Sequence, residues 1–97
     1  MIQPEKFDLD LGAGHWLQWT QYGDERCGGI ITHTKADALE GLCSGAFTIA
    51  GTKATDLIPK LPVWAFSGSW EQPTLAPSFL CHCGDHGFIR GGKWVRA

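Results

Sequence analysis

Residues 79–95 read FLCHCGDHGFIRGGKWV. In the second half of this run, Gly91 and Gly92 stand between the apolar-polar alternations GFIR and KWV. A glycine pair adopts the positive backbone angles of a two-residue primed turn at no steric cost, so the spacing predicts a tight β-hairpin that sets Arg90 opposite Lys93 and Ile89 opposite Trp94.

Upstream segments repeat the theme of short strands and turns. VWAFSGSW (63–70) alternates so that Trp64, Phe66 and Trp70 share a face with Gly68 among them, a core candidate. EQPTLAPS (71–78) is held in extended or turn geometry by Pro73 and Pro77. AFTIAGT (46–52) and GIITHT (29–34) read as further short strands, and YGDERCGG (22–29) reads as a turn. HWLQWTQY (15–22) sets Trp16 on the face opposite to Leu17 and Trp19, while EKFDLDLG (5–12) puts Phe7, Leu9 and Leu11 on one side and Lys6, Asp8 and Asp10 on the other. Only KADALEG (35–41) resembles a helix, and it is too short to stand without packing support. TDLIPKLP (55–62) is interrupted by Pro59 and Pro62. The pattern predicts a mainly β protein: one small antiparallel sheet, arranged as a meander, roll or open barrel, with little helix.

The chain has 97 residues, room for a single domain, and no internal repeat or linker divides it. Its 43% hydrophobic and 19% charged content, with five Trp and five Phe, belongs to a folded globule rather than a disordered chain. A net charge of −2 gives no general attraction to nucleic acid or to an anionic membrane, and the basic cluster of Arg90, Lys93 and Arg96 reads as a solvated hairpin face. Glu5, Asp8 and Asp10 fall where an export signal would need an apolar core, and no apolar run is long enough for a spanning helix. These features predict a cytosolic protein, and in a reducing compartment four cysteines are better explained as thiols or metal ligands than as disulfides.

Cys81, Cys83 and His86 form a CxCxxH spacing. Two thiolates on one zinc need sulfurs roughly 4 Å apart, closer than alternate residues of a straight strand, so the chain must bend there. Gly84 and Asp85 suit such a bend. Cys43, in GLCSGAF, is the first choice for a fourth ligand, with Cys27 second and His82 behind both. This expectation of a zinc site stands against a reading in which the cysteines are small buried apolar residues and His86 caps a turn.

Enzyme readings find less support in the residues. A thiol nucleophile would need Cys81 or Cys83 to work with His86 and with Asp85 or Asp24, and neighbours within one turn rarely reach that geometry. His15 and His33 sit on strand-like segments and read as hydrogen-bonded structural histidines. Ser67, Ser69 and Ser78 lack the GxSxG context of an activated serine.

The run WEQPTLAPSFLCHCGDHGFIRGGKWV (70–95) resembles the C-terminal signature of a family of small, mostly uncharacterised proteins of tailed phages and prophages, some of which bear the label ammonia monooxygenase. The resemblance rests on Trp70, Pro73, Thr74, Leu75, Pro77, Ser78, Cys81, Cys83, Gly84, His86, Gly87, Phe88, Ile89, Gly92 and Trp94. The two cysteines stand closer together here than in that pattern. The resemblance implies a phage or prophage setting and a location in the bacterial host's cytoplasm. It implies no oxygenase chemistry, since a membrane-bound copper oxygenase needs spanning helices. The first expectation is thus a zinc-stabilised binding module rather than an enzyme. Its partner would be a host or phage protein, met through tryptophans outside the core. A small thiol- or metal-dependent hydrolase or redox enzyme is the alternative.

Overall fold

A computed structural model describes residues 7–34, 42–53, 62–81 and 84–97. Eight strands lie among them: β1 (Leu9–Gly12), β2 (His15–Tyr22), β3 (Glu25–Thr34), β4 (Leu42–Ile49), β5 (Val63–Gly68), β6 (Pro73–Leu80), β7 (His86–Arg90) and β8 (Lys93–Arg96). They follow one another in a single eight-stranded sheet in chain order. All neighbours are antiparallel except β4 and β5, which run parallel and pair only through Thr48 with Val63 and Ile49 with Trp64. The sheet curls until β1 and β8 come into contact, giving a nearly closed barrel. No helix of the described residues is long and apolar enough to cross a membrane.

The final hairpin has the expected register, with Ile89 opposite Trp94 and Arg90 opposite Lys93. Gly91 and Gly92 take φ values of 57° and 78°, the pair of positive angles that a primed turn requires. Gly92 is also a close approach: a Cβ there would lie 3.0 Å from the Gln72 Cα and 3.1 Å from the Glu71 carbonyl oxygen. The hairpin tip is thereby packed against the turn that precedes β6.

Strand alternation builds the core. Leu11, Leu17, Trp19, Ile31, Phe47, Ile49, Leu75, Phe79 and Ile89 form one buried cluster, with Trp64, Phe66, Trp70 and Trp94 packed against it. As the alternation of β2 predicts, Leu17 and Trp19 point inward, while Trp16 on the opposite face stacks on Phe7 at 5.9 Å. Trp64 and Phe66 join the core from β5; Trp70 reaches it from the bend after that strand, stacked on Phe66 at 4.4 Å. Aromatic pairs in such offset and edge geometries contribute about 1 kcal/mol each beyond area burial.

The segment with Pro73 and Pro77 is the strand β6, which places Leu75 and Phe79 in the core. Pro73 fits as the first residue of the strand, and Pro77 fits because the β6–β7 ladder is irregular there: the register shifts between Leu75 and Phe79, so two extra residues of β6 lie unmatched by β7. The helix-like run at 35–41 and most of TDLIPKLP fall outside the described residues.

Candidate functional site

The bulged strand β6 and the start of β7 carry the first cluster. Ser78 lies within the register shift, on the alternation that turns it away from buried Phe79, and is half-buried. Leu80 pairs with His86, which brings His86 onto the same outer face. There His86 Nε2 stands 2.8 Å from Ser78 Oγ, and among the described residues Ser78 is the one hydrogen-bond partner of this imidazole. Exposed Leu80 and half-buried Phe88 flank the pair. The Arg90 guanidinium lies over the Phe88 ring at 4.2 Å.

The second cluster lies inside. His33 and Cys43 are directly opposite one another in the β3–β4 ladder, so their side chains share the inward face. Cys81, which follows β6, brings its sulfur to them, and one ligand atom from each of the three lies within 4.8 Å of the others. His33 and Cys43 are buried and Cys81 is half-buried. Two thiol sulfurs and an imidazole nitrogen from three segments distant in sequence form a set that could hold a metal ion.

Asp85 connects this set to β2. Its Oδ2 lies 2.6 Å from His15 Nε2 and 3.9 Å from His33 Nδ1, and His15, His33 and Asp85 form a second group whose ligand atoms fall within 4.8 Å. His15 Nδ1–H donates to the Ala13 carbonyl at 2.8 Å, so both ring nitrogens have a partner, one in the backbone and one in Asp85. The His15 ring is sandwiched between Trp94 at 4.0 Å and His33 at 5.1 Å, a stack that joins β8, β2 and β3. His33 Nδ1–H donates to the Thr34 carbonyl at 2.9 Å, the tautomer that leaves Nε2 with its lone pair. A cleft whose walls include His33, Phe47, Trp64, Cys81 and Asp85 opens beside the cluster, where β4 and β5 barely pair.

Of the expected zinc ligands, the three among the described residues, Cys43, Cys81 and His86, are divided between the two clusters. Cys43 and Cys81 come together, joined by His33; His86 faces outward and binds Ser78. The strand pairing of Leu80 with His86 explains this, because it sends His86 to the face opposite the core. Cys83 and His82 lie outside the described residues. Cys27 sits elsewhere on β3, its thiol donating to the Thr20 carbonyl at 3.7 Å. His15 and His33 are buried and hydrogen-bonded, as their strand positions suggested, but His33 also supplies a ligand atom. Ser78 lacks the GxSxG context that marks an activated serine in sequence, because its partner lies eight residues away across an irregular strand pair rather than in a linear motif. The sequence signal available was a serine on one arm of a predicted turn and a histidine on the other.

A small all-β domain carrying an exposed serine–histidine pair beside an internal Cys/His cluster is the class that fold and site define. Residues 42–97, more than half of the chain, match the family described as bacterial ubiquitination-like system serine protease (BubE), and the chain belongs to that family. The matched span contains Ser78, His86, Cys43, Cys81 and Asp85; His15 and His33 precede it. No curated protein and no solved structure matches the chain.

Proposed function

We propose that this chain is a serine hydrolase of a bacterial ubiquitination-like system, with Ser78 as nucleophile and His86 as general base. The observation that carries this reading is the 2.8 Å contact between Ser78 Oγ and His86 Nε2 on an accessible face. The family's description as a serine protease supports it, and the matched span includes both residues.

With Nδ1 protonated, His86 accepts the Ser78 hydroxyl proton at Nε2 as Oγ attacks the carbonyl carbon of an amide or ester. The tetrahedral adduct collapses to a Ser78 acyl ester, and the imidazolium returns its proton to the departing amine or alcohol. Water then attacks the ester with His86 again taking the proton. The carboxylic acid leaves and Ser78 is restored. The system named by the family points to a substrate in which a small protein modifier is joined through its C-terminal carboxyl.

For the Cys/His cluster we propose zinc as the ion and a structural role for it. Two thiolates with one imidazole suit zinc, which has no redox chemistry and accepts tetrahedral sulfur and nitrogen ligands. Structural zinc contributes on the order of 10 kcal/mol to the folding of small domains, as much as their whole net stability. The phage or prophage setting implied by the C-terminal signature remains part of the proposal.

The test is labelling with a fluorophosphonate followed by peptide mapping. One adduct per chain on Ser78, lost in Ser78→Ala and slowed in His86→Ala, supports the reading. No adduct, or an adduct mapped to a serine other than Ser78, overturns it and favours a binding module instead.

A further inference from the structure

The two clusters share one corner of the chain. Cys81 lies three residues beyond Ser78, and the turn that follows delivers first Asp85 and then His86. Gly84 N–H donates to the Cys81 carbonyl at 2.9 Å and Cys81 N–H to the Asp85 carbonyl at 2.8 Å, so the corner closes on Cys81 itself. Ser78, however, falls in the register shift of the β6–β7 ladder, where backbone pairing does not fix a side chain's aim. Past the shift the ladder resumes, with Phe79 opposite Gly87 and Leu80 opposite His86. The next described residue, Cys81, adds a second hold on the end of β6 through the cluster with His33 and Cys43, which already stand opposite each other in the β3–β4 ladder.

We infer that one zinc ion bound by His33, Cys43 and Cys81 positions Ser78 against His86, making the hydrolase metal-dependent although the ion touches no substrate. The positioning role rests on the hydrolase reading above; ion binding by the three residues does not. The geometry favours binding on three counts. The ligand atoms lie within 4.8 Å of each other, close to the roughly 4 Å sulfur separation of a tetrahedral zinc site. The Thr34 carbonyl accepts the His33 Nδ1–H, the kind of outer hydrogen bond that orients a metal-bound imidazole. The adjoining cleft, walled in part by His33 and Cys81, gives an ion a route in.

The experiment combines metal content with Ser78 reactivity. Protein purified without added metal is assayed by elemental analysis and titrated with cobalt(II). Its rate of fluorophosphonate labelling is measured as isolated, after a strong chelator, and after zinc is restored. Circular dichroism follows the fold throughout. The inference expects about one zinc per chain, sulfur-to-cobalt charge-transfer absorption that weakens in Cys43→Ser, and a labelling rate that falls at least about tenfold on chelation and returns with zinc. Metal-free protein that labels at Ser78 overturns the ion. Equal labelling rates with and without zinc overturn the positioning role. Stoichiometric zinc with no labelling in any state overturns the hydrolase reading, and the positioning role with it. Because cobalt absorption reports the ligands directly, a Cys43→Ser chain that fails to fold leaves the spectrum of the unaltered protein as the deciding measurement.

Discussion

His15 Nε2 lies 2.6 Å from Asp85 Oδ2, a contact between positions 70 residues apart that ties β2 to the turn before β7. The histidine is buried and the carboxylate mostly so, which makes this polar contact harder to replace with water than a surface pair. Asp85→Ala should therefore lower stability by about 2 kcal/mol, the scale of a hydrogen bond to a charged group. The check is urea unfolding, where the midpoint should fall with little change in slope. An unchanged midpoint would remove Asp85 from the account of the corner.

Gly87 lies under the Trp94 indole, and a Cβ at this position would come within 2.6 Å of two Trp94 ring atoms and 2.7 Å of the Val95 carbonyl oxygen. Gly87→Ala must displace the ring that stacks on His15, at a cost of about 1–3 kcal/mol. Gly91 has φ of 57° but no atom within 4 Å of a would-be Cβ, so Gly91→Ala should cost only about 1 kcal/mol. Thermal melts should rank the variants in that order, and the reverse order would contradict the packing described for β7 and β8.

Ile89 is fully buried, opposite both Trp94 and Leu75. Ile89→Ala leaves a cavity in the middle of the β6–β8 sheet and should cost about 2–5 kcal/mol. Chemical denaturation measures this directly. A loss below about 1 kcal/mol would indicate that the core is less tightly packed than the strand register implies.

Much of the fold could be read from the chain because the relevant rules are local. The Gly91–Gly92 turn, the facing of Trp16 against Leu17 and Trp19, and the aromatic face of Trp64 and Phe66 follow from two-residue alternation and turn chemistry, which need only near neighbours. The site was less legible for the same reason. Cys43 and Cys81 could be named as candidate ligands from their surroundings, but the share of His33 depends on a ladder pairing that no local pattern encodes. His86 was assigned to the cysteines because it is near them in sequence. One strand pairing, Leu80 with His86, turns it outward to Ser78 instead. The bulge in β6 that carries Ser78 could not be foreseen from Pro77 alone, since a proline marks an interrupted ladder without giving its register.

Ser78→Ala removes only a hydroxyl from a half-buried position and should leave the melting temperature nearly unchanged, which makes it a clean probe of the central claim. The most direct measurement is hydrolysis of a bacterial ubiquitin-like protein carrying a fluorophore in amide linkage on its C-terminal carboxyl, with the unaltered chain, Ser78→Ala and His86→Ala compared at equal folded concentration. The account predicts release of the fluorophore by the unaltered chain and a loss on the order of a thousandfold or more in each variant, the scale seen when members of a serine–histidine pair are removed. Release by Ser78→Ala at the rate of the unaltered chain, or no release above buffer by the unaltered chain itself, would contradict it.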